Sequence, residues 1–281
     1  MEVLISLARS GDSPESVAVT ELVGQRYPQI HQIAVVCNAS GDLAQKMPAA
    51  TILLDPRTND RSLVMTSSFS NLVLAGLMMG LGEAAARATE QASARAASLL
   101  PEIESAARAA ASEVKDRIVV LSSSPLTGWG REAALKILEM TSGRYPVLAE
   151  TFLGLRHGPM SFLRPDTLVL CLLSNDPRRR AYELDLLAEL RAKKIGRLIG
   201  IADPDQAGAL FDRVIPSTTP QMDDKLRTPF EIAAAQLFGV HLSLMAGFNP
   251  DSPSPDGVIN RVVQGVRIYP CQDAADCGRP A

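Results

Sequence analysis

Apolar positions fall into short continuous runs, separated by longer stretches in which they recur every three or four residues. The runs predict strands at residues 3–7, 33–37, 51–54, 118–121, 167–173, 198–202 and 213–215. A run such as "TLVLCLL" has no polar face, which suits a parallel strand covered by helices on both sides. Strands alternating with helical periods predict an α/β protein built on parallel sheets.

The pattern also repeats. "EVLISLARSGDSPESVAVTELV" and "TLVLCLLSNDPRRRAYELDLLAEL" each read as strand, polar turn and helix. "IAVVCNASGDLAQK" pairs with "LIGIADPDQAGALF", and "ATILLDP" with "DRVIPST". "RSLVMTSSFSNLVLAGLMMGL" pairs with "TPFEIAAAQLFGVHLSLMAG". Four elements in the same order at a near-constant offset argue for a duplicated α/β unit. Between the copies lies an Ala-, Glu- and Arg-rich connector of helical composition, in which Pro101 is expected to separate two helices. Ahead of "TLVLCLL" the second copy carries roughly fifty additional residues with no counterpart in the first. They include "RIVVLSS", "SPLTGWG", "REAALKILEMT" and "RHGP". The first copy is therefore expected to lack its first strand and helix. In a sheet of order 2-1-3-4-5 this leaves a gap between neighbouring strands. The expected division is 1–82 for the first copy, 83–115 for the connector, 116–270 for the second copy and 271–281 for a polar tail.

Composition narrows the function. A net charge of −3 and 4% aromatic residues offer neither the basic face nor the stacking platforms of a nucleic-acid binder. The most apolar segment, "SNLVLAGLMMGLGEAA", is too short to cross a bilayer and reads as a buried helix. No apolar leader follows a basic N-terminal stretch, so a cytoplasmic protein without membrane contact is expected. Cys37 and Cys171 sit in apolar strands as small hydrophobes, Cys271 and Cys277 lie in the tail, and no metal-ligand spacing is present.

Three features carry candidate chemistry. In "ARSGDSPES", Ser10, Gly11 and Ser13 follow a strand, and Pro14 suits the first helical position. The free N–H groups of that helix would suit a phosphate, although an ordinary capped helix reads the same way. No Walker-type lysine follows, which argues against a nucleotide triphosphate. A second hydroxyl cluster, Thr66, Ser67, Ser68 and Ser70 in "MTSSFS", again precedes a helix. The second copy has "RTPFEIAA" and "SNDPRRR" at these two places, so hydroxyl-rich turns occur in one copy alone and favour one phosphate site. In "REAALKILEM", Glu132, Lys136 and Glu139 share one face of an otherwise apolar helix. An i,i+4 ion pair accounts for two of them; a buried charged stripe points to function.

These features resemble the sugar isomerase (SIS) family. "SGDS", "REAALKILE" and "RHGP" match its pattern. "NDRSLVMTSSF", "FLGLRHGPMSFL", "LSNDP" and "NPDSPSPDGVINRVVQGVRIYP" are similar to the group of tagatose-6-phosphate ketose/aldose isomerases and galactosamine-6-phosphate deaminases. The resemblance covers residues 3–270. It implies two tandem SIS-type parallel-sheet sandwiches of flavodoxin-like, doubly wound form, the first lacking its first strand and helix. It implies an aldose–ketose isomerase or deaminase acting on an amino-hexose or ketohexose 6-phosphate. Glu139 then takes the place of the proton-shuttling base, Lys136 of the lysine beside it, and His157 of the ring-opening histidine, often delivered by a neighbouring subunit. Ser10, Gly11, Ser13, Thr66 and Ser67 hold phosphate and sugar hydroxyls. Neither metal nor organic cofactor is implied, and a homodimer or homotetramer is expected. Gln264 stands near the position of a C-terminal lysine in the related synthase, a departure from that enzyme's pattern. Arg61 is placed near the ligand or in a surface ion pair, His241 in a partly buried structural role, and His31 at the surface. The rival reading is a non-catalytic sugar-phosphate-binding regulatory module, or an inactive truncated homologue.

Overall fold

The computed structural model describes residues 2–46, 50–203, 208–254, 256–263 and 265–269. Cys271, Cys277, Gln264 and the expected tail lie outside the described residues. The chain forms two compact units, Met1–Asn59 with Ile259–Ala281, and Asp60–Val258. Helix α3, introduced below, therefore belongs with the second sheet, although the repeat groups its sequence with the first.

In the first unit, β1 (Val3–Ala8), α1 (Pro14–Arg26), β2 (His31–Val36), α2 (Asp42–Lys46) and β3 (Ala50–Leu53) alternate along the chain. The three strands are parallel and pair in chain order, with Ile5 opposite Ile33 and Val35 opposite Ile52. Ala34 and Val36 point to one face and pack with Val17 of α1 and Leu43 of α2.

The second unit contains α3 (Ser67–Leu81), α4 (Glu83–Ala111), β4 (Ile118–Ser122), α5 (Thr127–Met140), β5 (Val147–Glu150), α6 (Phe152–His157), β6 (Leu168–Leu172), α7 (Pro177–Lys193), β7 (Arg197–Ala202), β8 (Arg213–Pro216) and α8 (Asp224–Met245). Its five parallel strands run in the order β5-β4-β6-β7-β8, the doubly wound 2-1-3-4-5 arrangement. Strand periodicity sorts the core into two layers. Ile118, Val120, Leu168, Leu170, Ile199 and Ile201 meet α4, α5 and α8 on one face. Val119, Leu121, Val169, Cys171 and Leu198 meet α6 and α7 on the other.

Four expectations change. The gap foreseen in the first sheet does not occur, because β1 pairs directly with β2 and β2 with β3. The expectation counted the second sheet one strand short. It missed β5, a half-buried edge strand of four residues after Pro146, so the strand that β1 resembles is third in its own sheet, not second. Pro101 does not divide the connector: α4 runs unbroken through it from Glu83 to Ala111. Proline removes one N–H and crowds one carbonyl, a loss that a 29-residue helix rich in alanine absorbs at an exposed position. The break falls instead at Gly82, whose φ of +55° separates α3 from α4. Finally, α3 is half-exposed rather than buried: Ser68 and Leu72 are its buried residues, while Met78 and Leu81 face solvent.

Candidate active site

The turn after β1 keeps much of its hydrogen-bonding capacity. Ser10 is buried and its hydroxyl accepts the Asp12 N–H at 3.2 Å. Gly11 adopts φ +77°, which bends the backbone towards α2, where its carbonyl accepts the Leu43 N–H. Ser13 takes the extended N-cap conformation, yet its hydroxyl makes no bond to the helix, and Pro14 fills the first position. The opening of α1 is thus uncapped by a side chain. Of the two acids of the motif, Glu15 lies in the first turn of α1 and Asp12 is turned aside: its carboxylate accepts the Asp42 N–H at 3.1 Å. Sequence reasoning passed over two cations of this unit. Arg9 is buried beside Ser10 and donates to the Arg261 carbonyl, and the Arg261 guanidinium donates to Asn59.

The second hydroxyl cluster has a different state. The Asp60 carboxylate accepts the N–H groups of Thr66, Ser67 and Ser68 at 2.9, 3.1 and 2.9 Å, and the hydroxyls of Thr66 and Ser68 at 3.0 and 2.5 Å. Burial pushes the Asp60 carboxyl up, but the hydroxyl and amide donors of Ser68 and Thr66 outweigh it and hold it below 3.8. The negative charge that the start of α3 attracts is therefore built into the chain. The Thr66 proton is committed to Asp60; the Ser67 hydroxyl takes no part in this cage. In "TNDRS" it is Asp60, not the exposed Arg61, that organises the segment.

On α5 the three charges meet. Lys136, with a side chain 1% exposed, donates to Glu139 Oε2 at 2.7 Å and lies 3.2 Å from Glu132 Oε1. The second contact is not aligned as a hydrogen bond, so that Glu132 oxygen is buried without a hydrogen-bond partner. The Glu139 side chain remains 29% exposed and can reach a ligand; Glu132 is 10% exposed. Burial pushes the Glu132 carboxyl above its ordinary value, against the pull of Lys136. Trp129, Ala133 and Ile137 seat the helix in the core, which is why a lysine at its next turn is buried.

His157 is exposed at the end of α6. Phe152 and Leu155 of α6 pack on the α7 face of the five-stranded sheet, whereas α5 packs on the opposite face. Within one chain the sheet separates His157 from Lys136 and Glu139. His241 lies 3.7 Å from Glu104 with its side chain largely buried, and His31 is exposed, both as expected. Cys37 and Cys171 are buried.

The turn after β6 is filled with charge. The Asp224 carboxylate accepts the Asn175 N–H at 2.8 Å, Arg227 at 2.9 Å and Arg179 at 3.0 Å, together with the Ser174 hydroxyl. Burial raises Asp224, but the donations from Asn175, Ser174 and Arg227 hold it below 3.8. Arg227, fully buried, also donates to the Leu173 carbonyl. The turn after β1 carries hydroxyls, whereas the turn after β6 is closed by an internal carboxylate.

The fold and the sequence of this chain match those of known proteins. The chain belongs to the sugar isomerase (SIS) family. It is 39% identical to an AgaS protein of Streptomyces coelicolor and 37% identical to the D-galactosamine-6-phosphate deaminase AgaS of Escherichia coli O157:H7. Each alignment covers 96% of this chain and 72% of the relative. Among solved structures, the tagatose-6-phosphate ketose/aldose isomerase of Escherichia coli superposes with a TM-score of 0.84 at 33% identity, over 96% of this chain and 72% of that one. The C-terminal domain of glucosamine-fructose-6-phosphate aminotransferase from Francisella tularensis shares the fold, with a TM-score of 0.71 at 16% identity. No family model matches the chain.

Proposed function

We propose that this chain converts an amino-hexose 6-phosphate, galactosamine 6-phosphate, to tagatose 6-phosphate and ammonia by proton transfer between C2 and C1. The observation that carries the reading is the α5 stripe, in which a fully buried lysine steadies a partly exposed carboxylate. With the sugar ring opened, Glu139 takes the C2 proton and the carbonyl oxygen gains charge. Return of a proton to C1 leaves an imine at C2, and water replaces the nitrogen to give the ketose and ammonia. A substrate with oxygen at C2 ends the same sequence as an isomerisation. Lys136 keeps the Glu139 carboxylate in place.

Ser10, Gly11 and Ser13 bind phosphate through hydroxyls and the free amides of α1, a role supported by the missing side-chain cap. Thr66 and Ser67 serve sugar hydroxyls rather than phosphate, since Asp60 already supplies an anion there. His157 opens the ring from a second copy of the chain, in a homodimer or homotetramer; its place across the sheet from α5 favours this. The likeness to AgaS and tagatose-6-phosphate isomerase supports the substrate class.

The strands β1-β2-β3 stand as counterparts of β6-β7-β8 in a tandem repeat. β1 is an edge strand of its sheet, and the face that carries its Val3, Ile5 and Leu7 is exposed. A second reading is that the chain binds sugar phosphate without turnover. Ammonia release and ketose formation from galactosamine 6-phosphate, with glucosamine 6-phosphate beside it, decide between the two. Binding of both sugars with no product overturns the enzymatic reading.

A further inference from the structure

We propose that the turn after β6 is a binding site for a small carboxylate anion, which the chain fills with its own Asp224. Four donors divide the two oxygens of that side chain between them. Asp224 Oδ1 accepts the Asn175 N–H at 2.8 Å and Arg227 Nη1 at 2.9 Å. Oδ2 accepts Arg179 Nη1 at 3.0 Å and the Ser174 hydroxyl. The donors come from the turn, from α7 and from α8, and they converge on a side chain only 3% exposed. Two guanidinium groups, a hydroxyl and a backbone amide are a set with which proteins hold a free carboxylate.

Neither helix capping nor charge balance accounts for the arrangement. Asp223 caps α8 by accepting the Lys225 N–H, and Asp176 caps α7 by accepting the Arg179 N–H. Each arginine also faces a second acid through its other terminal nitrogen. Arg179 Nη2 lies 3.7 Å from Asp176, and Arg227 Nη2 lies 3.6 Å from Glu231. Asp224 answers what those acids leave open: the Nη1 groups of both arginines and the two polar groups of the turn.

The cradle is held by bonds that do not involve Asp224. Asn175 Nδ2 donates to the Thr219 and Met222 carbonyls, both at 2.8 Å, and Asn175 Oδ1 accepts Arg180 at 2.9 Å. Arg227 donates to the Leu173 carbonyl at 2.7 Å and to the Thr219 hydroxyl at 3.1 Å. Taking the carboxylate away therefore leaves a formed cradle with unmet donors, two of them charged. Buried donors without an acceptor are costly, so the emptied cradle draws in an anion from solution. Arg179, with a side chain 43% exposed, is the wall through which the anion enters. In the native chain the cradle is full, and no dissolved anion finds room after β6.

Replacement of the lost side chain by a dissolved anion tests the assignment. D224G removes a group the size of acetate, and D224A one the size of formate. Urea unfolding of the 281-residue chain is followed by the fluorescence of Trp129, which lies in the same unit as Asp224. In chloride both variants should unfold at lower urea than the native chain. Acetate for D224G and formate for D224A, exchanged for chloride at constant ionic strength, should saturably restore about half or more of the lost midpoint. Three chains should show no saturable response: the native one, D224N, whose amide still fills the space, and D223A, which loses a neighbouring acid outside the cradle. Equal responses of D224G and D223A, or none in D224G and D224A, overturn the proposal. So does failure of both variants to refold from urea in chloride, acetate and formate alike.

Discussion

Asp60→Asn replaces one oxygen of the carboxylate at the start of α3 and tests how that helix is held. Five donors converge on Asp60: three backbone N–H groups and two hydroxyls. An asparagine keeps one acceptor oxygen and turns its NH2 towards groups that are themselves donors. Loss of a helix cap costs about 0.5–2 kcal/mol, and hydrogen bonds to a charged group about 1.5–3 kcal/mol each before solvent recovers part of them. Asp60 is half-exposed, so water can reach the abandoned amides. We therefore expect D60A to lose about 2–3 kcal/mol in all, and D60N to come within about 1 kcal/mol of it. Trp129 is the sole tryptophan, is fully buried and lies in the Asp60–Val258 unit, so its fluorescence during urea unfolding reports the relevant transition. The pH dependence has a definite sign. The folded Asp60 carboxyl sits below 3.8, so its contribution is complete above 3.8 and is lost as pH falls through the folded value. The gap between native chain and D60N should persist at neutral pH and close on acidification. A D60N chain as stable as the native one at pH 7, or a gap that widens in acid, refutes the cage.

The other predictions concern the proposed chemistry. Glu139→Gln should lower kcat about 10²–10⁴-fold with substrate affinity largely kept, measured by ammonia release and by calorimetry. Ser10→Ala and Ser13→Ala should each raise KM about tenfold or more for the phosphorylated sugar, and loss of sensitivity to the phosphate group in a comparison with galactosamine would identify the contact. If His157 acts across copies, E139Q and H157A chains mixed and reassociated as dimers should recover about a quarter of native turnover; no recovery places the histidine elsewhere. Glu132 has a folded value above its ordinary 4.5, so it favours the protonated folded state and its stability penalty grows as pH rises from 4.5 through that value. E132Q should flatten this slope in urea unfolding followed over the same range.

The chemistry along single elements was legible in the sequence because helix and strand periods are local. The 132–136–139 spacing put three charges on one face, and an apolar helix around them meant burial; the structure shows a lysine 1% exposed. The serine turn after β1, with Pro14 at the helix start, was legible for the same reason. Edge strand β5 was harder to see, since four half-buried residues carry too little apolar signal, and its omission led to the expected gap in the first sheet. At Pro101 a local rule was overridden by a long alanine-rich helix packed along α8.

Other properties depend on residues far apart in sequence. Asp60 occupies the amides of Thr66, Ser67 and Ser68, and Asp224 takes the Ser174 hydroxyl and the amide of Asn175, 49 residues away in the last case. No spacing rule reveals such pairs, because a carboxylate finds donors wherever the backbone turns it, and burial then makes the pairing obligatory. The side of the sheet on which α6 lies is likewise a matter of crossover geometry, and it parts His157 from Glu139 though both stand in one family motif set. By itself the sequence determined on which element each candidate residue sits. The tertiary structure alone decided which of them meet, because contact across a sheet or into a helix start depends on packing that no local period encodes.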